Sequence, residues 1–313
     1  MVDGVRAGLI GTAVTMAVDH VTEEVVTAFN RADVASLLLK GPSIAQWLYP
    51  EGRRSYRDTD LLVSPDDFTR ASDVLRSIGF GAPSHALVDH AHTYQRDAGG
   101  YAQTVDLHRT LPYFASPPAE VWRVLSRAKS TISVGGVDVD VLGVPERCLH
   151  VAIHAVQHAF EASEDSGPFE DLRRAVAAAK FEEWSEAAVV SRSLGAEDAL
   201  AAGLCLIPDG NALSARLDLT TDRRGILRFA GTAGHAELPA YQLQRFVDAG
   251  SFGERMRLLV NPIMLSPASL RQVSPLARRG RVGLGLAYAA RPFVVAGRVG
   301  SAMVSRRRIL KPQ

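Results

Sequence analysis

Apolar residues recur at a period near 3.6 from residue 5 to residue 29, which predicts an amphipathic helix. The pattern then shortens. SLLLKG (36–41) is a brief apolar run closed by glycine, expected as a buried strand and a turn. PSIAQWLY (42–49) opens with proline, the favoured first helical residue. TDLLVS (59–64) is a second apolar run and predicts another strand. A helix is expected over 65–80, with Asp66 and Asp67 in its first turn. HAHTYQRD (90–97) and YAQTVDLHRT (101–110) flank Ala98-Gly99-Gly100 and read as a hairpin. TISVGGVDVDVLGV (131–144) reads as a further strand pair.

The texture changes at Pro145. PERCLHVAIHAVQHAF, FEDLRRAVAAAKFEEW and AEDALAAGLCLI all carry helical periodicity, separated by polar breaks. The expected class is therefore α+β, a mixed α/β domain followed by an all-helical one. The divisions are a packing helix at 1–32, an α/β domain at 33–144, a helical domain at 145–270 and a C-terminal segment at 271–313.

Composition limits the alternatives. Of 313 residues, 47% are hydrophobic, enough for a core over most of the length. The two cysteines, Cys148 and Cys205, lie in apolar helical sequence, which argues against a disulfide scaffold and for a reducing compartment. The N-terminal apolar stretch is preceded by Asp3 and interrupted by Asp19, unlike a secretion signal, so a cytoplasmic location is expected. Net charge is +1, but it is unevenly spread. Twelve of the 35 basic residues lie from Arg255 onward, where no acidic residue occurs, leaving 23 basic against 34 acidic before it. The apolar stretch 282–304 contains Arg291, Pro292 and Arg298, which a membrane-spanning helix would have to bury, so no span is expected. The segment either packs on the body or contacts an anionic partner or membrane surface.

The chemistry concentrates in RDTDLLV (57–63). Side chains two apart on a strand face the same way, so Asp58 and Asp60 share a face while Thr59 and Leu61 take the other. Two carboxylates at that spacing suit Mg²⁺ or Mn²⁺, hard cations that take oxygen ligands. Without a cation they repel, so at least one should be harder to ionise. Asp106 alternates with Val105 and Leu107 in TVDLHRT, and three carboxylates converge if that strand lies beside the first. Upstream, LLLKGPS places a helix start, with its free amides, after a strand and a glycine.

This order of strand, Gly and Ser at a helix start, Asp-x-Asp and a later strand Asp resembles the polymerase-beta-type nucleotidyltransferase superfamily. The fuller string, LLLKG…RDTDLLV…VLRSIGF…VDLHRTL, is similar to the bacterial family of uncharacterised nucleotidyltransferases over about residues 33–112. The resemblance implies that Asp58, Asp60 and Asp106 bind two metal ions. It implies that Gly41 and Ser43 cradle a nucleoside triphosphate, ATP being the expected one, with Lys40 and Arg57 on its phosphates. A nucleoside monophosphate would then pass to a hydroxyl or phosphate acceptor (a small molecule, peptide or protein), with pyrophosphate leaving. The family's small-residue pair is interrupted here by Pro42, which has no amide to donate.

Other histidines remain open. His108 could steady Asp106, contact the acceptor or serve only as a hydrogen-bonded structural residue. His150, His154 and His158 recur every four residues on one helix stripe, which suggests a polar lining of the cleft between domains, with His154 on the acceptor side. The inner positions lack the glutamate of a zinc protease, and the chain has no G-x-x-x-x-G-K-S/T loop or G-x-S-x-G elbow. The rival function is a non-catalytic nucleotide sensor or partner-binding protein on the same fold.

Overall fold

A computed structural model describes residues 2–51, 54–81, 90–99, 101–159 and 167–219, and beyond them 251, 253, 267, 270–271, 274–291 and 293–294. The expected continuation of the helical domain over 220–250, most of 252–273, and the end of the basic segment from 295 lie outside the described residues.

The first helix, α1, runs Val2–Arg31. Strands follow at β1 (Ser36–Leu38), β2 (Thr59–Val63), β3 (Ala91–Ala98), β4 (Tyr101–His108), β5 (Ser130–Val134) and β6 (Val137–Val141). They form one mixed sheet in the order β3-β4-β2-β1-β6-β5. β2 pairs antiparallel with β1 and parallel with β4, so it is a central strand. All five of its residues are buried, as expected of a strand covered on both faces. Full burial of Leu61, Leu62 and Val63 is worth roughly 1.5–3 kcal/mol each, which lets this strand also carry a buried aspartate.

Alternation sends these residues to two cores. Leu38, Leu61, Val63, Val105, Leu107 and Val141 face α1 and α3 (Phe68–Ser77), meeting Val25 and Phe29 of the first and Ala71 and Leu75 of the second. Leu37, Leu39 and Leu62 face the other way, onto Val121 and Leu125 of α4 (Pro118–Leu125). The short helix α2 (Pro42–Leu48) links β1 to the segment before β2.

After Val141 the described elements of this unit are all helical: α5 (Val144–His158), α6 (Gly167–Ala178), α7 (Phe181–Ser193), α8 (Glu197–Leu204) and α9 (Pro208–Arg216). α5 is the central one and packs against α6, α7 and α8. Residues 1–221 form one compact unit and 222–313 a second. Within the second, a 3₁₀ turn (Leu276–Arg278) and a helical stretch at 280–291 share a small core of Leu270, Ala277 and Ala287. Among the described residues no helix is long and apolar enough to cross a membrane.

Two local expectations need correction. The helix expected from residue 65 starts at Phe68, because Ser64 and Pro65 carbonyls take the Asp67 and Phe68 amides in preceding turns. Asp67 therefore stands at the cap and holds Arg70 at 2.6 Å instead of lying inside the first turn. FEDLRRAVAAAKFEEW is two helices. Lys180 is extended, and its amide donates to Glu183 Oε2 at 2.6 Å, starting α7 afresh.

Candidate active site

The parallel pairing of β2 and β4 sets Asp60 directly beside Asp106 and Leu62 beside His108. Thr59, pointing the opposite way, meets Thr22 of α1 with the two hydroxyls 3.0 Å apart. Asp60, Asp106 and His108 thus share the face that Leu62 presents toward α4, and Asp58 belongs to the same side by alternation.

β1 runs antiparallel to β2, and the Leu39 amide donates to the Asp60 carbonyl at 3.0 Å. That register brings the next residue, Lys40, to the carboxylates. Its Nζ reaches Asp60 Oδ1 at 2.7 Å, and His108 Nε2 lies 3.3 Å from the same oxygen. Asp60 Oδ2 is buried with no hydrogen-bond partner among the described residues. Asp106 Oδ1 accepts from the Thr93 hydroxyl at 2.6 Å.

The electrostatics separate the two neighbouring aspartates. Burial pushes the Asp58 carboxyl up, Asp60 repels it further, and Lys40 only partly opposes this, so it is harder to ionise than usual. Burial also penalises ionised Asp60. The Lys40 ammonium and His108 more than offset that and hold it well below the ordinary carboxylate range. Lys40 itself is disfavoured by burial but raised overall by Asp60, Asp58 and Asp106. Its ammonium is thus a tethered cation acting on all three carboxylates. Among the described residues no three His, Cys, Asp or Glu side chains are gathered closely enough to hold a metal ion between them.

The histidine stripe is ordered. The rings of His150 and His154 stack at 6.2 Å, and His154 meets His158 edge-on at 4.6 Å. Burial, then the nearby Lys40 charge, pushes His150 down to about 3 and His154 well below its usual value, so both are neutral at neutral pH.

Beside the carboxylates a cleft of about 270 Å³ is lined by Lys40, Gly41, residues 54–58, and Gly167 and Pro168 at the start of α6. Gly41 sits at φ +61°, a conformation that favours glycine, and an added Cβ would lie 3.4 Å from the Tyr56 ring. The Tyr56 hydroxyl donates to Asp19 Oδ1 of α1 at 2.6 Å. Lys40, Gly41, Arg57 and Asp58 therefore line one cleft. Ser43 does not line it: the residue is fully buried and its amide donates to the Lys40 carbonyl at 3.3 Å. With Pro42 lacking an amide, the cleft's means of holding an anion are mainly cationic side chains.

Sequence reasoning missed Arg54, Tyr49 and Asp171. Arg54 lines the cleft and grips Asp171 of α6 through Nε and Nη2 at 2.8 and 2.7 Å, while the Tyr49 hydroxyl donates to the same carboxylate at 2.7 Å. One signal was present. Asp171 lies between Phe169 and Leu172, on the buried side of its helix, where a carboxylate needs a partner.

Residues 13–209 match the family model described as uncharacterised nucleotidyltransferase. No curated protein matches the chain at a significant level. Two solved structures are similar. One is the antibiotic-resistance factor ANT(2'')-Ia, at 13% identity over 58% of this chain and 92% of that one, with a TM-score of 0.41. The other is an antigenic nucleotidyltransferase-like protein from Paracoccidioides brasiliensis, at 17% identity over 66% and 93%, with a TM-score of 0.40. The family match spans more than half the chain and includes every carboxylate and cation of the site, and by it the chain belongs to the uncharacterised nucleotidyltransferase family.

Proposed function

We propose that the protein is a metal-dependent nucleotidyltransferase that moves a nucleoside monophosphate from a triphosphate, ATP first among them, to a hydroxyl or phosphate acceptor, releasing pyrophosphate. The observation that carries this reading is the register pairing of Asp60 with Asp106 on adjacent parallel strands, with Asp58 two residues upstream. Family membership supports nucleotidyl transfer in general.

The donor set suits a hard divalent cation. It is all oxygen, and Asp60 Oδ2 is a buried acceptor without a partner among the described residues. Asp58, Asp60 and Asp106 would hold Mg²⁺ or Mn²⁺ once their side chains turn toward the ion, since among the described residues no three such groups are gathered around one point without it. Bound there, the ion would neutralise charge on the reacting phosphate oxygens. The chain's own part is positioning. Lys40 and Arg57 supply positive charge at the cleft, and Gly41 keeps the β1–α2 turn free of a side chain. Phosphoryl chemistry of this kind depends mainly on such placement and charge neutralisation.

A second reading, a nucleotide-binding protein without transfer, is favoured by one observation: Lys40 already provides Asp60 with a cation at 2.7 Å. Incubation with each α-labelled ribonucleoside triphosphate, Mg²⁺ or Mn²⁺ and a panel of acceptors separates the two. Labelled acceptor with pyrophosphate release supports the enzyme. Tight triphosphate binding with neither product in any combination supports the sensor and ends the enzymatic reading.

A further inference from the structure

We propose that Arg54 is an anion-binding residue of the cleft, held in place for a polyphosphate chain by Asp171 and Tyr49. This deepens the nucleotidyl-transfer reading and rests on it for the ligand's identity, though not for its chemical class. Arg54 is 14% exposed and Asp171 2%. The guanidinium spends Nε and Nη2 on the two Asp171 oxygens, a bidentate pairing that fixes its plane. Its remaining nitrogen, Nη1, is buried and has no partner among the described residues. A buried donor left unpaired is unfavourable, and such a group in a native structure calls for a reason. Nη1 is closed to water in this structure, so an anion in the cleft would meet it through a small shift of the Arg54 side chain. Arg54 lines the same cleft as Lys40 and Arg57, so three cations border it against one lining carboxylate, Asp58.

Two features narrow the ligand. A volume of about 270 Å³ is at the small end for a drug-sized molecule, whose pockets begin near ~300 Å³, and suits a phosphate chain better than a whole nucleotide. Lys40 is engaged by Asp60, and the α2 start offers Ser43's amide to its own turn. Arg54 brings to the cleft a guanidinium already fixed in plane by Asp171, and its planar fork matches phosphate oxygens.

Asp171 and Tyr49 are positioning residues. Asp171 comes from α6 and Tyr49 from the end of α2, so the arginine is held from two sides, and Arg174 stacks over the Tyr49 ring at 4.2 Å. Asp171 also compensates the arginine's charge before any anion arrives.

Calorimetric titration of the full chain with inorganic tripolyphosphate and pyrophosphate, in EDTA, tests this without requiring metal or transfer. The parent is expected to bind tripolyphosphate more tightly than sulfate. Arg54→Lys, which cannot grip Asp171 bidentately and reach the anion together, should weaken binding at least tenfold. Arg54→Gln leaves Asp171 buried without its cation and risks misfolding. The paired variant Arg54→Gln/Asp171→Asn avoids that by discarding both charges, and should also bind at least tenfold more weakly while melting cooperatively. Arg70→Gln, an exposed arginine paired with Asp67 on α3, should bind like the parent. Parent-like affinity in the folded paired variant overturns the proposal, as does a parent that does not bind tripolyphosphate. Either result leaves label transfer to judge the enzymatic reading. Conversely, Arg54-dependent tripolyphosphate binding in a protein with no transfer would sustain the anion site alone.

Discussion

Burial lifts the Asp58 carboxyl and the charge of Asp60 lifts it further, whereas Lys40 and His108 hold Asp60 down. The sign follows for stability. Asp58's folded pKa is raised, so its contribution is fullest below about pH 3.9 and is lost as pH rises through the folded value. At pH 7 ionised Asp58 is a cost, and Asp58→Asn should leave the metal-free protein at least as stable as the parent. Asp60's folded pKa is depressed, so its contribution is present above about pH 3.9 and lost only as pH falls far below that. Asp60→Asn strips Lys40 of a partner 2.7 Å away and should cost about 3–5 kcal/mol, the usual penalty for breaking a buried pair. Urea unfolding of both variants at pH 7 in EDTA measures the contrast. Equal effects in the two would mean that Lys40 does not prefer Asp60 in solution. Both variants should lose any stabilisation by Mg²⁺ plus triphosphate, because each removes a proposed ligand.

At the scale of elements, helix propensity and packing can be set against each other. Gly203 lies in α8, and a Cβ there would come within 2.3 Å of the Ala152 carbonyl oxygen of α5. Propensity favours alanine over glycine by up to about 1 kcal/mol. Backbone overlap at that distance forces α8 away from α5 and should win, with Gly203→Ala destabilising by roughly 1–3 kcal/mol. Gly11, in α1, has nothing among the described residues within 4 Å of the same added atom, so Gly11→Ala should be neutral or stabilise by up to about 1 kcal/mol. Thermal melts of the two variants should move apart, and a stabilised Gly203→Ala would show that α8 is not seated closely on α5. What the sequence disclosed has the same local character. The two-residue repeat of a strand, applied to the apolar run TDLLV and to the alternating TVDLH, was enough to assign strand faces, and Gly135-Gly136 marked a hairpin whose turn uses positive φ at both positions. Helix α4 (PAEVWRVL) and helix α9 (PDGNALSAR) are short, eight and nine residues, and leave little periodicity to detect. The α6–α7 break is a single extended residue, Lys180, inside an otherwise unbroken helical pattern. In the site, the aspartates could be found because their spacing is local. Lys40 with Asp60 and Arg54 with Asp171 are pairs made across the fold, which no local pattern records.

Charge divides the whole molecule more sharply than the sequence boundary near 144. Of the 34 acidic residues, 30 lie in residues 1–221 beside 19 basic ones, a net of −11. Residues 222–313 hold the other 4 acidic and 16 basic residues, a net of +12. The near-zero total therefore conceals two strongly charged units. Every residue proposed for metal, nucleotide or anion lies between Lys40 and Asp171, in the acidic unit, which has its own cores on both faces of the sheet. A chain ended at Thr221 should fold, melt cooperatively and keep its shift with Mg²⁺ and triphosphate. It should also change its behaviour toward charged surfaces, because adsorption follows the local field of a patch and not the sum over the molecule. The full chain, despite a net charge of +1, should be retained on a sulfonate resin at pH 7 and elute with salt, as clustered arginines demand. The truncated chain should pass through the sulfonate resin and bind a quaternary-amine resin instead. Equal retention of the two forms would mean that the basic unit's charge is compensated in the intact molecule. A folded truncation without a metal-plus-nucleotide shift would mean that residues beyond 221 complete the site.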